Sequence, residues 1–445
     1  MDLKELALHS KGILFGDPVE VINFSIDTRT LNKGDVYIAI KGDRFDGHDF
    51  ILEAEKNGAK AFIVSKQIQT DLPYVLVKNT INFIEEIAIL NRSSFKGNVI
   101  GITGTNGKTT SKQILSTLLS KIHECHKTQG NKNNHIGVPF CMLNLTNSFS
   151  SSVMEIGTSQ IGEIKTLTKI IKPNIAAITN VSAGHLEGLK DTNSIAEEKG
   201  DILKFEHSVG VAILPRDSIY FDFWKKKTNA RSIYSFGLHK DSDFRVVDPK
   251  VDLNHLVTNF VVKSRNEEEQ CTMNGIGIHN TINAAMALSV CHVLGLKLSD
   301  VKSALERIEF PERRLSLHES FKGSLLIDDS YNSNPASMKR SIDVLNEIPN
   351  KTKICLFGEM KELGNDSKKM HTEVYQYARE RTDYLLCIGD EWSGVEAFKG
   401  SNDVLFQSHQ DLYDRAKSLI NQKSVTLVKG SRSTRMDIIA DKLKQ

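Results

Sequence analysis

The stretch Gly101-Ile-Thr-Gly-Thr-Asn-Gly-Lys-Thr-Thr110 carries, in order, the residue types that phosphate chemistry needs. Gly104 and Gly107 allow a tight turn that brings backbone N–H groups to a phosphate, with Thr105 and Asn106 between them. Lys108 adds a point charge, and Thr109, followed by Thr110, offers a hydroxyl to Mg²⁺. The loop departs from the standard nucleotide-loop pattern, because Ile102 stands where the first glycine belongs. A Gly-rich turn without a ligand is therefore the alternative reading.

Other chemistry-bearing residues fall where apolar runs end. Glu155 and Gly157 follow Val153-Met154, and Asn180 and then His185-Leu-Glu187 follow Ile178-Thr179. Lys199 lies in Ala196-Glu-Glu-Lys-Gly200, a helix-like segment. A carboxylate and a histidine beside a phosphate loop could share Mg²⁺ with a triphosphate and Thr109. Taken singly, Glu155 also reads as a helix N-terminal carboxylate and His185 as a hydrogen-bonded loop histidine. Asn280 and Asn283 are three apart, hence on one helix face, and an Asn amide can pair bidentately with an adenine edge. Helix capping is the other reading of Asn280. Arg313-Arg314, Asp328-Asp329-Ser-Tyr-Asn-Ser-Asn334-Pro335 and Lys429-Gly-Ser-Arg432 add charges able to clamp a phosphate, a ribose and a carboxylate.

The elements that must position these residues alternate along the chain. Val99 precedes the glycine turn, and Ile114, Leu115, Leu118, Leu119 and Ile122 after it share one face, as in a helix packed on a sheet. Val36–Ile40 and Ala61–Val64 read as strands flanking a short helix over Asp49–Asn57. Val99–Thr103, Val153–Ile156 and Ile175–Thr179 read as buried parallel strands. Leu325–Ile327, Ile354–Phe357, Tyr384–Ile388 and Val425–Val428 form a further doubly wound α/β unit. The polar stretch Asn91–Gly97 reads as a linker and Phe310-Pro311 as a second boundary, giving domains 1–94, 95–310 and 311–445.

At 445 residues, three domains are the natural expectation. A hydrophobic content of 40% with 25% charged residues describes a soluble globular chain. The net charge of +2 gives no reason to expect a nucleic-acid or membrane partner. No apolar run reaches the roughly 18 residues of a membrane span, and the charged start lacks a signal-peptide core. The six cysteines are scattered without a CxxC pair, which argues for a reducing, cytoplasmic setting.

The ordered stretches TGTNGKTT (103–110), TQGNKNNHIGVP (128–139), MEIGTSQIGEI (154–164), ITNVSAGHLEG (178–188), AEEKGDI (196–202), GIHNTINAA (277–285), DDSYNSNPASM (328–338) and VKGSR (428–432) resemble the Mur ligases. SIDTRTLNKGDVYIAIKGDRFDGHDF (25–50) resembles their N-terminal region, so the likeness spans essentially the whole chain. It implies three α/β domains: a small UDP-sugar domain, a central P-loop ATPase-like parallel sheet domain, and a C-terminal Rossmann-like domain for the incoming amino acid or dipeptide. It also implies a monomeric, cytoplasmic, ATP- and Mg²⁺-dependent peptide ligase of peptidoglycan synthesis. The substrates implied are UDP-N-acetylmuramoyl-tripeptide and D-alanyl-D-alanine, joined through an acyl phosphate. A carboxylate cannot be attacked directly by an amine because oxide leaves badly, so phosphorylation must activate it.

Carried over residue by residue, the resemblance assigns Gly104, Gly107, Lys108 and Thr109 to the phosphates. It gives Thr109 and Glu155 to a first Mg²⁺, His185 to a second, and makes Lys199 a carbamate, with a plain surface lysine as the other reading. Asn280 and Asn283 become the adenine side, Asp329 the ribose contact, and Arg314 a phosphate contact from the third domain. Asp27, Thr28, Arg29, Gly47 and His48 fall in the UDP-sugar region. Asn332, Asn334, Lys429 and Arg432 fall toward the second substrate. The chain departs from the family at Asp27-Thr28-Arg29, where serine is usual, and at Glu359, where a shorter aspartate is usual. Rival readings are a sister ligase adding one amino acid, a folate polyglutamate ligase, and a nucleotide-gated binding protein without ligase activity.

Overall fold

The computed structural model describes residues 1–184, 186–206, 209–395 and 402–444. These form three sheets. The first contains β1 (Ile13–Phe15), β2 (Phe24–Ser25), β3 (Val36–Ile38), β4 (Ala61–Val64) and β5 (Tyr74–Leu76), in the order β1-β5-β4-β3-β2. The second contains β6 (Asn98–Thr103), β7 (Cys125–Lys127), β8 (Ser151–Glu155), β9 (Ile175–Ile178), β10 (Val211–Pro215), β11 (Ser232–Gly237), β12 (Phe244–Asp252), β13 (Val257–Lys263) and β14 (Glu268–Asn274). Its order is β14-β13-β12-β11-β10-β9-β6-β8-β7. The third contains β15 (Ser316–Ser320), β16 (Ser324–Asp329), β17 (Thr352–Phe357), β18 (Tyr384–Ile388), β19 (Asp403–Phe406) and β20 (Ser424–Lys429), ordered β15-β16-β20-β17-β18-β19. All neighbours in the third sheet are parallel except the edge pair β15–β16. The α/β architecture expected from the alternation of elements is present in full.

Two compact units emerge from the packing: residues 1–101, 123–157 and 163–174 in one, and 102–122, 158–162 and 175–445 in the other. In the first, Leu3, Leu6, Val36, Ile38, Ala61, Ile63 and Val75 pack with Phe83, Ile84 and Ile87 of the helix Thr80–Ser94. In the second, Ile327, Cys355, Phe357, Leu385 and Leu427 of the third sheet pack with Met338, Ile342, Val374 and Tyr375 of its helices. The strand core is apolar on both faces, as parallel sheets require.

Several boundaries differ from expectation for identifiable reasons. The presumed linker begins late, because Asn91 and Arg92 belong to the helix Thr80–Ser94. Asn91 Nδ2 donates to the carbonyls of Met142 (3.1 Å) and Leu143 (2.8 Å), and Arg92 Nε to that of Ile171 (2.6 Å). Their polarity thus anchors helix ends rather than marking a loop. The helix after the glycine turn stops at Ser120, so Ile122 stands outside it, 47% exposed, while Ile114, Leu115, Leu118 and Leu119 are buried. The short helix near residue 50 opens as a 3₁₀ turn, Gly47–Phe50, before Ile51–Lys56. The antiparallel ribbon β12-β13-β14 was not anticipated; its polar residues alternate with buried Phe244, Val246, Phe260, Val262, Cys271 and Met273.

In the first unit His126 is buried with Nε2 at 3.1 Å from the Cys141 carbonyl and Nδ1 at 2.8 Å from Ser152 Oγ. A carbonyl only accepts, so Nε2 carries the proton and the ring is neutral. Burial pushes its pKa from 6.5 down to about 4, with the Cys141 carbonyl pulling the other way. The unfolded chain therefore binds a proton that the folded chain refuses, and stability must fall as pH drops from about 6.5 to 4, by up to about 3 kcal/mol. Urea unfolding should show this loss, and His126→Gln, which keeps one donor and one acceptor, should flatten it.

Candidate active site

The glycine turn after β6 has no room for side chains. Gly104 has φ +150°, and a Cβ there would lie 1.8 Å from Thr179 Oγ1; Gly107 has φ +80°, with Asn283 Oδ1 2.8 Å from the same position. The residues following β9 hold the turn between them. Thr105 N–H donates to the Asn180 carbonyl (2.9 Å) and Asn106 N–H to Asn180 Oδ1 (3.1 Å). The Asn106 carbonyl accepts from Thr179 Oγ1 (2.6 Å) and Asn180 Nδ2 (2.9 Å). Lys108 Nζ folds back over the turn onto the carbonyls of Gly104 (2.8 Å) and Thr105 (3.1 Å). The helix Lys108–Ser120 starts on Gly107 with no side-chain cap, leaving its positive end to the turn, and Thr110 is buried in that first turn. Thr179, Asn180 and Ser182 went unassigned in the sequence; their place at the carboxyl end of β9 was the signal.

Lys199 lies on the helix Thr192–Gly200, which Asp191 caps by accepting from Ser194 N–H. It is 3% exposed, which rules out the plain surface lysine. Burial first, then the neighbouring charge of Lys108, hold its pKa well below 10.5, against the opposing pull of Glu198. An amine so placed sheds its proton readily. Glu198 accepts from Gly162 N–H at 2.7 Å. His185 lies outside the described residues.

Asn280 does not cap the helix Ile278–Val293; Gly277 does, and Asn280 Nδ2 donates to the Ile276 carbonyl at 3.2 Å. Asn283 reaches Asn280 Oδ1 at 3.4 Å and lies against Gly107. From the third sheet's side, Arg314 donates to Thr109 Oγ1 at 3.1 Å and stacks 4.2 Å over Tyr331. Asn334 meets Asn106 at 2.8 Å. Asp329 and Lys429 are register partners on β16 and β20 and form a buried ion pair at 2.5 Å. Ser341 Oγ donates to Asp329 Oδ2 (2.6 Å), Leu315 N–H to Oδ1 (3.2 Å), and Lys429 Nζ also donates to the Asn332 carbonyl (3.0 Å). Arg432 is exposed and pairs with Asp437 at 3.4 Å. Glu359 folds onto Lys361 (2.7 Å) and Glu391 N–H (2.8 Å). Burial raises its pKa, but those donors outweigh it and hold the group below its ordinary value.

In the first unit Glu155 ends β8, 1% exposed, accepting from Asn133 Nδ2 at 2.8 Å, while its N–H donates to Thr128 Oγ1 at 2.8 Å. It starts no helix, so the helix-terminus reading fails. Asn134 Oδ1 accepts from Gly137 N–H at 2.8 Å, at the start of the helix Gly137–Met142. Asp27 and Arg29 form an exposed two-pronged pair (2.9 and 2.6 Å), and that hydrogen bond holds the Asp27 carboxyl below its usual value despite some desolvation. Thr28 donates to Glu53 at 2.7 Å. Gly47 is required sterically, since a Cβ would lie 2.6 Å from Ile40 N. His48 has both nitrogens engaged, Nε2 by Ser65 N–H (2.9 Å) and Nδ1 by Asp46 (2.5 Å). Thr28, Gly47 and His48 therefore shape the region, and Asp27 and Arg29 face outward.

Gly104→Ala should weaken ADP binding at least about tenfold and more than Gly107→Ala, because the obstructing oxygen is nearer at Gly104. Titration with ADP, alongside urea unfolding, checks the ranking.

Three family models match the chain in order: the Mur ligase family catalytic domain over residues 20–91, the Mur ligase middle domain over 102–291 and the Mur ligase glutamate ligase domain over 313–432. The chain is 32% identical over 447 residues to the UDP-N-acetylmuramoyl-tripeptide--D-alanyl-D-alanine ligase of Escherichia coli (strain K12), covering 100% of this chain and 98% of that one. It is 28% identical to the ligase of the same name from Bacillus subtilis (strain 168), covering 99% and 98%. Among solved structures it is similar to MurF from Acinetobacter baumannii, with a TM-score of 0.89, 27% identity and coverage of 99% and 98%. The MurF ligase from Thermotoga maritima in complex with ADP gives a TM-score of 0.80 at 30% identity, covering 94% and 96%. With its phosphate turn, buried lysine and paired asparagines in that order on three α/β sheets, the chain belongs to the Mur ligase family.

Proposed function

We propose that this chain is the ATP-dependent ligase that joins D-alanyl-D-alanine to UDP-N-acetylmuramoyl-tripeptide in the cytoplasm. The observation that carries the reading is end-to-end similarity to ligases of that name, 32% identical over 447 residues in the Escherichia coli case. The ADP-bound relative from Thermotoga maritima supports ATP as the energy source. On this reading residues 1–94 take the UDP-sugar, 95–310 ATP, and 311–445 the dipeptide.

The tripeptide's terminal carboxylate attacks the γ-phosphorus of ATP, ADP leaves, and an acyl phosphate forms. The dipeptide amine then attacks the acyl carbon, loses a proton, and phosphate departs with the C–O electron pair. The chain's contribution is positioning and charge neutralisation. The helix N-terminus at Gly107 and the backbone of the turn receive phosphate oxygens, while Lys108 moves its charge from the loop carbonyls to them. Arg314, already at Thr109 Oγ1, is placed to add a second cation. Asn280 and Asn283 serve the nucleotide side, and Asp27 and Arg29 the UDP-sugar side. The ion pair of Asp329 with Lys429 sits at the carboxyl ends of β16 and β20, where ligands of such sheets bind.

Thr109, His185 and a carbamylated Lys199 are the Mg²⁺ ligands proposed in the second unit, and Glu155 is the one proposed in the first. When bound, Mg²⁺ neutralises the charge on the transferring phosphoryl group. The chemistry of Lys199 fits carbamylation: its unprotonated amine forms a C–N bond to CO₂ and releases one proton. A buried amine whose positive charge is disfavoured by burial and by Lys108 thereby becomes an oxygen-bearing anion, the donor that Mg²⁺ prefers.

Phosphate release from ATP and Mg²⁺ with UDP-N-acetylmuramoyl-tripeptide should require D-alanyl-D-alanine and yield the pentapeptide by mass. Release with a single amino acid would place the chain among the sister ligases, and no release with any acceptor would overturn the ligase reading. Lys199→Ala should cut turnover by about a hundredfold or more without unfolding the chain, with partial rescue by short carboxylates. Near-normal turnover would remove the carbamate from the mechanism.

A further inference from the structure

We propose that Asn334 is a positioning residue, tying the helix Pro335–Asn346 to the phosphate turn through Asn106 so that turnover depends on this amide pair while nucleotide binding does not. The proposal rests on the ligase reading for its kinetic consequence.

The Asn334 side chain both caps its own helix and pairs with Asn106, whose Nδ2 also approaches Asn334 Oδ1 at 3.4 Å. Oδ1 accepts from Ser337 N–H at 2.9 Å, and Ser337 Oγ accepts from Asn334 N–H at 2.9 Å, a reciprocal cap on the helix. Nδ2 donates to Asn106 Oδ1 at 2.8 Å, across 228 residues of sequence. Asn106 is itself held on every side. Its Nδ2 donates to Ser182 Oγ at 2.9 Å, and its backbone is bound by Thr179 and Asn180. One continuous line of hydrogen bonds thus runs from the end of β9, through the phosphate turn, into the first turn of a helix from the third sheet's layer.

Other bonds join the same regions. Arg314 meets Thr109, and Leu186 N–H donates to the Glu362 carbonyl at 2.9 Å. Of these three links, the Asn334 one can be cut without disturbing a charge or the backbone, since serine caps a helix as well as asparagine but is too short to reach Asn106. The acyl phosphate must meet its amine in fixed geometry and away from water. Loosening the register of these two regions should therefore appear in kcat. ADP, gripped by the turn itself, should not notice.

The test is a double-mutant cycle in the full chain with Asn334→Ser, Asn106→Ala and both together. For Asn334→Ser we expect kcat to fall about tenfold with the ADP dissociation constant within about twofold of the original. The double variant should turn over no more slowly than the worse single one. In urea the two substitutions should likewise be non-additive, coupled by about fivefold in the unfolding constant, a readout that needs no turnover. Unchanged kcat in Asn334→Ser, parallel loss of ADP affinity and kcat, or full additivity in urea would each overturn the proposal. Failure of the unsubstituted chain to ligate would instead count against the ligase reading, with the urea cycle still judging the pair.

Discussion

A phosphate turn has to hold a tight, unusual backbone shape, so something else has to satisfy and steady much of that backbone. In this chain that task falls to three consecutive-layer residues after β9. Thr179, Asn180 and Ser182 bind Thr105 and Asn106 from behind, and Thr179 Oγ1 occupies the space a Cβ on Gly104 would need. The glycine is therefore dictated by a neighbour's hydroxyl as much as by the ligand it is expected to cradle. Bonds from residues distant in sequence thus fix the shape of the turn, and a fixed array of donors is what makes electrostatic stabilisation effective.

Charge at the site is handled by pairing cations unequally. Lys108 rests on loop carbonyls, able to exchange them for phosphate oxygens, whereas Lys199 is buried where its own charge is disfavoured by desolvation and by Lys108. Two lysines that feel one another's charge are costly as two cations, so the buried one resists protonation. Lys429 is treated differently again, neutralised by Asp329 at a site where Ser341 and Leu315 also donate to that carboxylate. The same residue type thus fills three electrostatic roles, separated by burial and by the nearest oxygen.

The site was more legible in the sequence than its supports. The glycine turn, the helix behind it and the parallel strands could be read because apolar periodicity and glycine spacing act locally. Asn133 and Ser182 could not, since each is defined by a partner far along the chain. Polarity misled where it served tertiary anchoring: Asn91 and Arg92 look like linker residues but bind distant carbonyls from inside a helix. The partners of His48, Asp46 on one nitrogen and Ser65 N–H on the other, were likewise beyond pattern reading. The ribbon β12-β13-β14 escaped notice because its period-two apolar residues are outnumbered by charges.

Those charges have a use at the margin of the nine-stranded sheet, where β14 is the last strand. An outermost strand offers unpaired N–H and C=O groups that could recruit another chain into continuous cross-chain pairing. Here the strand reads Glu268-Glu-Gln-Cys-Thr-Met-Asn274, with charged or polar residues at its outward positions. Glu269 is held by Lys302 at 2.6 Å, and Asn274 Nδ2 by the Ile308 carbonyl at 2.9 Å, so the segment following the helix Leu298–Val301 lies over that border. The residues that hid this strand from pattern reading are thus the ones that make the margin of a large sheet a poor template for pairing with another chain.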